Sequence, residues 1–124
     1  MIALDTSSII AFLAGERGSD VSAVEAAFRL RQGVLPPVVV TELLSDPVTS
    51  GELAALIRAV PTLEVFDGYW DRAGELRAGL RRKGLKGRLG DTLIAQSCID
   101  SRVSLVTRDR DFRNFARYAG LHLG

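Results

Sequence analysis

The stretch that decides the fold is the first ten residues, MIALDTSSII. A short apolar run ends at the carboxylate of Asp5, and hydroxyl residues and a second apolar run follow it. This pattern predicts a strand over residues 2–5 and a helix over residues 6–14, capped by Thr6 or Ser7. Open α/β sheets bind their ligands where a buried strand ends beside the start of a helix, so Asp5 is the first candidate functional residue.

The composition is that of a single globular domain. Of the 124 residues, 47% are hydrophobic and 25% are charged, and the net charge of +1 argues neither for nor against a nucleic-acid partner. The one cysteine, Cys98, excludes a disulfide framework and a thiolate metal site, so we expect a reducing, cytoplasmic setting. The sequence predicts neither a signal peptide nor the run of about 20 apolar residues that a membrane span needs.

Strands and helices alternate along the rest of the chain. Apolar periodicity, with glycine and proline as boundaries, predicts helices over residues 20–32, 37–45, 49–60, 68–83 (with Trp70 facing inward), 91–101 and 112–119. Apolar or alternating runs predict strands over residues 34–35, 63–66 and 103–107, and residues 121–123 could form an edge strand. Strands separated by helices imply right-handed crossovers and a parallel sheet with helices on both faces.

Four of the 15 acidic residues do not fit a solvated helix face. Asp5 ends the first strand, and Glu42 lies inside the apolar segment VVVTELL. Asp91 opens an apolar helix, and Asp109 follows the strand that ends at Thr107. Taken singly, each could be a helix cap, a solvated helix edge or a turn residue.

Taken together, these acids are expected to meet. The strands over residues 2–5 and 103–107 are plausible neighbours in a parallel sheet, so their carboxyl ends and the N-terminus of the helix at residue 91 would lie on the same side of it. Carboxylates gathered there would repel one another and raise each other's pKa values. A bound cation relieves that repulsion, and ligands that are all oxygen favour the hard cations Mg²⁺ and Mn²⁺.

At these positions the sequence resembles the PIN domain family and, within it, the VapC-type toxins of bacterial toxin–antitoxin pairs. The matching motifs, in chain order, are LDTS at 4–7, TELL at 41–44, GDTLIA at 90–95 and VTRDRDF at 106–112. The resemblance covers essentially the whole chain. It implies one PIN-like domain over residues 1–124 with three α/β/α layers and a central, mostly parallel sheet of about four to five strands.

The resemblance also implies a metal-dependent endoribonuclease, the toxin component of such a pair. By match to the motifs, Asp5, Glu42, Asp91 and Asp109 would be the catalytic residues. Of these, Asp5, Asp91 and Asp109 would hold Mg²⁺ or Mn²⁺. Glu42 would either bind a second ion or orient a water molecule.

Other residues of the motifs would lie at the pocket edge. Ser7 and Thr107 are candidates for substrate contact. Asp111 leaves open which acid of the last motif faces the metal. We favour Asp109, because Asp111 and Phe112 are typical of the cap and first apolar contact of the last helix.

A basic stretch leads into Asp91. Between residues 72 and 88 a single acid, Glu75, accompanies seven basic residues, namely Arg72, Arg77, Arg81, Arg82, Lys83, Lys86 and Arg88. We expect Arg82, Lys86 and Arg88 to bind substrate phosphates, although a solvated helix face would show the same charges.

The partners implied by the resemblance are an RNA substrate, a cognate antitoxin and a second copy of the chain in a homodimer. The antitoxin would cover an apolar groove between the helices at 6–14 and 37–60, lined by Phe12, Leu13, Leu53, Leu56 and Ile57. Two alternatives remain open. The chain could be a PIN-like nuclease outside a toxin–antitoxin pair, or a non-catalytic binding module whose acids are caps and turn residues.

Overall fold

The computed structural model describes residues 1–124, and it places a small parallel sheet among seven helices. The strands are β1 (Ile2–Leu4), β2 (Gly33–Val34) and β3 (Leu105–Val106). The helices are α1 (Thr6–Leu13), α2 (Ser19–Arg29), α3 (Pro37–Leu44), α4 (Gly51–Ala59), α5 (Tyr69–Arg82), α6 (Leu89–Ser101) and α7 (Phe112–Ala119). None of these helices has the length and apolar character that crossing a membrane requires.

The sheet has the strand order β2-β1-β3, and both pairings are parallel, which confirms the predicted α/β fold. Strand β1 is therefore central, and its last residue, Leu4, pairs with Val106 of β3. Single parallel bridges, Leu35 with Thr62 and Leu105 with Leu123, extend the sheet at its two edges. The sheet therefore has three strands rather than the predicted four to five, with one bridge at Leu123, inside the predicted range 121–123, and one at Thr62, just before the predicted range 63–66.

The strand predicted over residues 63–66 is wrong, and the reason lies in its neighbour. Leu63 N–H donates to the carbonyl of Leu35, but β2 then runs into Pro36 and Pro37. Proline has no N–H to donate, so the ladder cannot continue. Residues 64–66 are accordingly exposed and outside the sheet.

The boundaries of α2 also differ from the prediction. The helix begins at Ser19 and ends at Arg29, rather than spanning residues 20–32, and Arg31 has a φ of +53°. Gly33 is the first residue of β2 and not a helix cap. A Cβ on Gly33 would lie 3.1 Å from the side chain of Leu4, so glycine permits the close approach of β1 and β2.

The inward face of α5 is carried by Tyr69 and not by Trp70, which is 66% exposed. Tyr69 is buried, and its hydroxyl donates a 2.6 Å hydrogen bond to the carbonyl of Leu93. The sequence pattern could not separate the two, because both residues lie three or four positions before the buried Ala73. Burial and the negative charge of Asp100 raise the pKa of the Tyr69 hydroxyl to about 12.

Helix α6 is the most deeply buried helix and positions the site. It packs against α3, α5 and α7, and its residues from Ile94 to Cys98 are all buried. It begins at Leu89, two residues before the predicted start, so residues 89 and 90 are helical and not part of the predicted loop. Asp91 is therefore the third residue of the helix rather than its cap.

Candidate metal centre

Asp5 is a buried carboxylate at the carboxyl end of the central strand, 4% exposed. Its Oδ2 accepts hydrogen bonds from Ser7 Oγ at 2.6 Å and from Thr107 Oγ1 at 2.7 Å. A buried carboxylate needs such donors, because leaving it unpaired would be costly. Asp5 makes no side-chain bond to the N-terminus of α1, so helix capping does not explain it.

A short turn after β3 presents two further acids. The backbone N–H of Asp109 donates to Thr107 Oγ1 at 3.0 Å, and the N–H of Asp111 donates to Asp109 Oδ1 at 2.9 Å. These bonds fix the turn from residue 107 to residue 111. Asp111 stands at the cap position of α7, as predicted, but its side chain makes no capping bond.

Asp91 meets both acids of that turn. One carboxylate oxygen from each of Asp91, Asp109 and Asp111 can be chosen so that all three lie within 4.8 Å of one another. Asp91 Oδ2 is buried and has no hydrogen-bond partner. The structure thus brings Asp91 and Asp109 together, as predicted, and adds Asp111 to them.

The electrostatics of Asp91 link this group to Asp5. Burial first, and then the negative charges of Asp109, Asp5 and Asp111, together raise the pKa of Asp91 from 3.8 to about 6. Arg88 acts in the opposite sense and lowers the pKa. The four acids therefore form one interacting set, which we call the acidic centre (Asp5, Asp91, Asp109 and Asp111).

The acidic centre fits a hard divalent cation. Its donors are carboxylate oxygens, which Mg²⁺ and Mn²⁺ prefer, and neither histidine nor cysteine belongs to it. The unpartnered Oδ2 of Asp91 is the feature that a cation would satisfy, since buried polar atoms are rarely left without a partner.

Glu42 lies at the rim and not within the acidic centre. It is exposed on α3, and its Oε1 accepts a 2.7 Å hydrogen bond from Thr6 Oγ1, the first residue of α1. Its Oε2 lies 3.7 Å from the position that a Cβ on Gly90 would occupy. Glu42 thus stands between the starts of α1 and α6.

The three basic residues predicted to contact substrate are all exposed, and none forms a salt bridge. Arg82 ends α5, Lys86 lies in the connection that follows, and Arg88 directly precedes α6. Of the three, only Arg88 affects the pKa of Asp91. Ser7 and Thr107, the predicted edge residues, donate their hydroxyl protons to Asp5 and so orient that carboxylate.

Sequence reasoning missed Arg108, which lies between Thr107 and Asp109. Its guanidinium binds the carboxylates of Asp20 and Glu16, which are 88 and 92 residues away in the chain. No local pattern indicates a pairing at that separation. Arg108 lowers the pKa of Asp20 to about 2 through its hydrogen bond, so this carboxylate remains ionised.

The fold and the site together define an α/β domain with carboxylates gathered at the carboxyl edge of a parallel sheet. A sequence model of the PIN domain matches residues 2–118, so the chain belongs to the PIN domain family. A nuclease-type hydrolase is the class of activity expected of this family. Among curated protein sequences, no match was found.

Two solved structures share the fold. The first is the crystal structure of VapBC2 from Rickettsia felis bound to a DNA fragment from their promoter. It matches with a TM-score of 0.73 at 22% identity, over 100% of this chain and 98% of that chain. The second is the crystal structure of FitAcB from Neisseria gonorrhoeae, with a TM-score of 0.71 at 19% identity, over 99% of this chain and 96% of that chain.

Proposed function

We propose that this PIN domain is a Mg²⁺- or Mn²⁺-dependent endoribonuclease and the toxin component of a toxin–antitoxin pair. The observation that carries the proposal is the buried, unpartnered Oδ2 of Asp91 beside the carboxylates of Asp109 and Asp111. Family membership supports nuclease chemistry. The similarity in fold to VapBC2 and FitAcB supports the toxin role.

In this proposal the acidic centre holds the cation. Asp91, Asp109 and Asp111 offer the closest set of oxygens, and the negative charge of Asp5 also acts on Asp91. When bound, a divalent cation stabilises negative charge on the phosphoryl oxygens and makes water a stronger nucleophile. Glu42, exposed at the rim, would orient the attacking water or bind a second ion.

The basic residues that flank α6 would bind the RNA backbone. Arg82, Lys86 and Arg88 are exposed and free of salt bridges, so they are available for phosphate contacts. Arg88 lies three residues before Asp91, which would bring a bound phosphate toward the acidic centre. Contacts of this kind position a substrate without reading its sequence.

The antitoxin would bind an apolar groove between α1, α2 and α4. Its lining is entirely hydrophobic and comprises Ile9, Leu13, Phe28, Leu35, Leu43, Leu53, Leu56, Ile57 and Val60. Four of the five predicted lining residues are among them. The fifth, Phe12, instead packs against the ring of Phe28 at 5.8 Å. Leu13 and Leu56, 43% and 47% exposed, are the side chains that a partner would cover.

The homodimer expected from the family resemblance is a further part of the proposal.

The central test compares the wild-type chain with an Asp5→Asn variant in metal titrations. A mixed RNA pool and a single-stranded DNA of similar length serve as substrates, and thermal melts are recorded with Mn²⁺, with Mg²⁺ and with chelator. Asp46→Asn is a matched control, because Asp46 is an exposed loop acid outside the acidic centre.

We expect wild type and Asp46→Asn to cleave RNA only with metal, and Asp5→Asn to be folded but inactive. Cleavage in chelator, or the absence of both cleavage and a metal-induced rise in melting temperature, would overturn the metal-dependent mechanism. Cleavage of DNA in place of RNA would favour a PIN-like nuclease with another substrate.

A further inference from the structure

A second hydrogen-bonded bridge runs alongside the one that holds Asp5. The inner bridge joins α1 to the turn after β3 through Asp5, which binds the hydroxyls of Ser7 and Thr107. The outer bridge joins Ser8 of α1 to Arg108 of the turn through the carboxylate of Asp20. Its Oδ2 accepts from Ser8 Oγ at 2.8 Å and from Arg108 Nε at 2.9 Å. Two consecutive residues of α1 are thus tied to two consecutive residues of the turn.

Arg108 makes the outer bridge rigid. Its Nη2 is 3.3 Å from Asp20 Oδ1 and 3.2 Å from the carbonyl of Arg17, and its Nη1 is 2.9 Å from Glu16 Oε2. All three guanidinium nitrogens are therefore engaged, and the planar group is held on two sides. The Asp20 side chain is only 13% exposed, which limits competition from water.

The outer bridge is joined to the acidic centre through the chain. Arg108 points toward residues 16–20. The residue before it, Thr107, donates to Asp5, and the residue after it, Asp109, belongs to the acidic centre. Because the three residues are consecutive, the position of Arg108 restrains both Thr107 Oγ1 and the backbone of Asp109. Loss of that restraint would leave the inner bridge as the remaining side-chain link between this turn and α1.

We propose that Arg108 and Asp20 are positioning residues for the proposed metal site. Their ion pair holds the 107–111 turn against the start of α1, so that Asp109 and Asp111 remain within reach of Asp91. This inference rests on the proposed function, because it concerns the same carboxylates. It assigns the two residues no contact with RNA or with the reacting atoms.

The chain offers a matched control for the loss of an arginine bridge. Arg72 binds Asp100 through Nε at 3.1 Å and Nη2 at 2.6 Å, and its Nη1 donates to the carbonyl of Asp67. The Arg72 and Arg108 side chains are similarly exposed, 40% and 34%. The Arg72 bridge joins α5 to α6 near the far end of α6 from Asp91, so its loss removes comparable contacts without touching the turn.

The test measures Mn²⁺ affinity in the absence of RNA, from the electron paramagnetic resonance signal of free Mn²⁺. Arg108→Ala, Asp20→Asn and Arg72→Ala are compared with wild type, and melting temperatures in chelator give the purely structural loss. We expect Arg108→Ala and Asp20→Asn each to weaken Mn²⁺ binding by roughly tenfold or more, as loss of outer-shell partners typically does. Arg72→Ala should change Mn²⁺ affinity less than about twofold, even where it lowers the melting temperature as much.

Each other result has a definite meaning. If the Mn²⁺ affinity of Arg108→Ala equals that of the wild type or that of Arg72→Ala, the positioning role is wrong. If Arg108→Ala is weakened but Asp20→Asn is not, the ion pair is not what positions the turn, and the inference is again overturned. Should Arg108→Ala fail to fold, Asp20→Asn alone decides, because asparagine removes the charge of the ion pair while keeping nearly the same side-chain shape. Failure of the wild type itself to bind Mn²⁺ would instead overturn the proposed function.

Discussion

Thr107 Oγ1 lies 2.7 Å from Asp5 Oδ2, although the two residues are 102 positions apart in the chain. The parallel register that pairs Leu4 with Val106 brings them side by side at the carboxyl edge of the sheet. The same hydroxyl accepts from the backbone N–H of Asp109. One threonine thus joins the central strand to the acidic turn, and its removal should affect both.

Thr107→Val tests that link, because valine keeps the shape and removes the hydroxyl. The substitution deprives Asp5 of a donor and the Asp109 N–H of its acceptor, so we expect the free energy of unfolding to fall by about 1–3 kcal/mol in urea titrations. Ser97→Ala is the control, since Ser97 Oγ is buried and has no partner. Its removal should be neutral or slightly stabilising. Equal losses in both variants would contradict the assigned role of Thr107.

The raised pKa of Asp91 predicts an unusual pH dependence in the metal-free protein. The unfolded chain releases this proton near pH 3.8, whereas the folded chain retains it up to about pH 6. Between these values the folded state binds more protons, so the contribution of Asp91 lowers the free energy of unfolding as the pH rises. The resulting loss in the free energy of unfolding is at most about 3 kcal/mol, and it reaches its full size above pH 6.

Asp91→Asn isolates that contribution, because the variant cannot ionise at this position. In chelator, we expect the variant to be more stable than wild type at pH 7 and the advantage to shrink as the pH falls toward 4. Thermal or urea unfolding at several pH values measures the difference. A stability difference that is constant between pH 4 and 7 would show that Asp91 does not titrate in this range.

Asp111 is predicted to matter for metal binding as much as Asp109 does. Both carboxylates lie within 4.8 Å of Asp91, and asparagine at either position removes one negative charge from the acidic centre. At a Mn²⁺ concentration 100 times the dissociation constant, binding should stabilise the wild type by about 2.7 kcal/mol. Asp109→Asn and Asp111→Asn should reduce the corresponding rise in melting temperature, while Asp46→Asn should not. A normal rise in Asp111→Asn would leave Asp109 as the metal-facing acid of the turn.

The parts of the fold and site that the sequence predicted are those with a local cause. Asp5 ends an apolar run and Asp91 lies near the start of an apolar helix, so the topology of a parallel sheet was enough to place them on one edge. The Asp20–Arg108 pair has no local cause, because its partners are 88 residues apart and meet only after the sheet has formed. Tyr69 and Trp70 show a different limit, since they lie four and three positions before Ala73 and both spacings fit the face that carries it.

The apolar groove gives a prediction about the proposed partner that is independent of metal chemistry. Leu56 is 47% exposed and lines the groove, so Leu56→Glu should leave folding and RNA cleavage unchanged while placing a charge where an apolar side chain of the antitoxin would be buried. Leu30→Glu is the matched control, because Leu30 is 56% exposed and lies outside the groove lining.

The binding partner for this test is the purified product of the gene adjacent to this one, and affinity is measured by titration calorimetry. We expect Leu56→Glu to weaken binding by at least about tenfold, which corresponds to 1.4 kcal/mol, and Leu30→Glu to bind as wild type does. Equal affinity for Leu56→Glu and wild type would place the antitoxin on another surface. If the product of the adjacent gene neither binds the wild type nor inhibits its cleavage of RNA, the toxin role is wrong, even if the chain is a nuclease. A partner that blocks the active site is what distinguishes a toxin from other PIN nucleases.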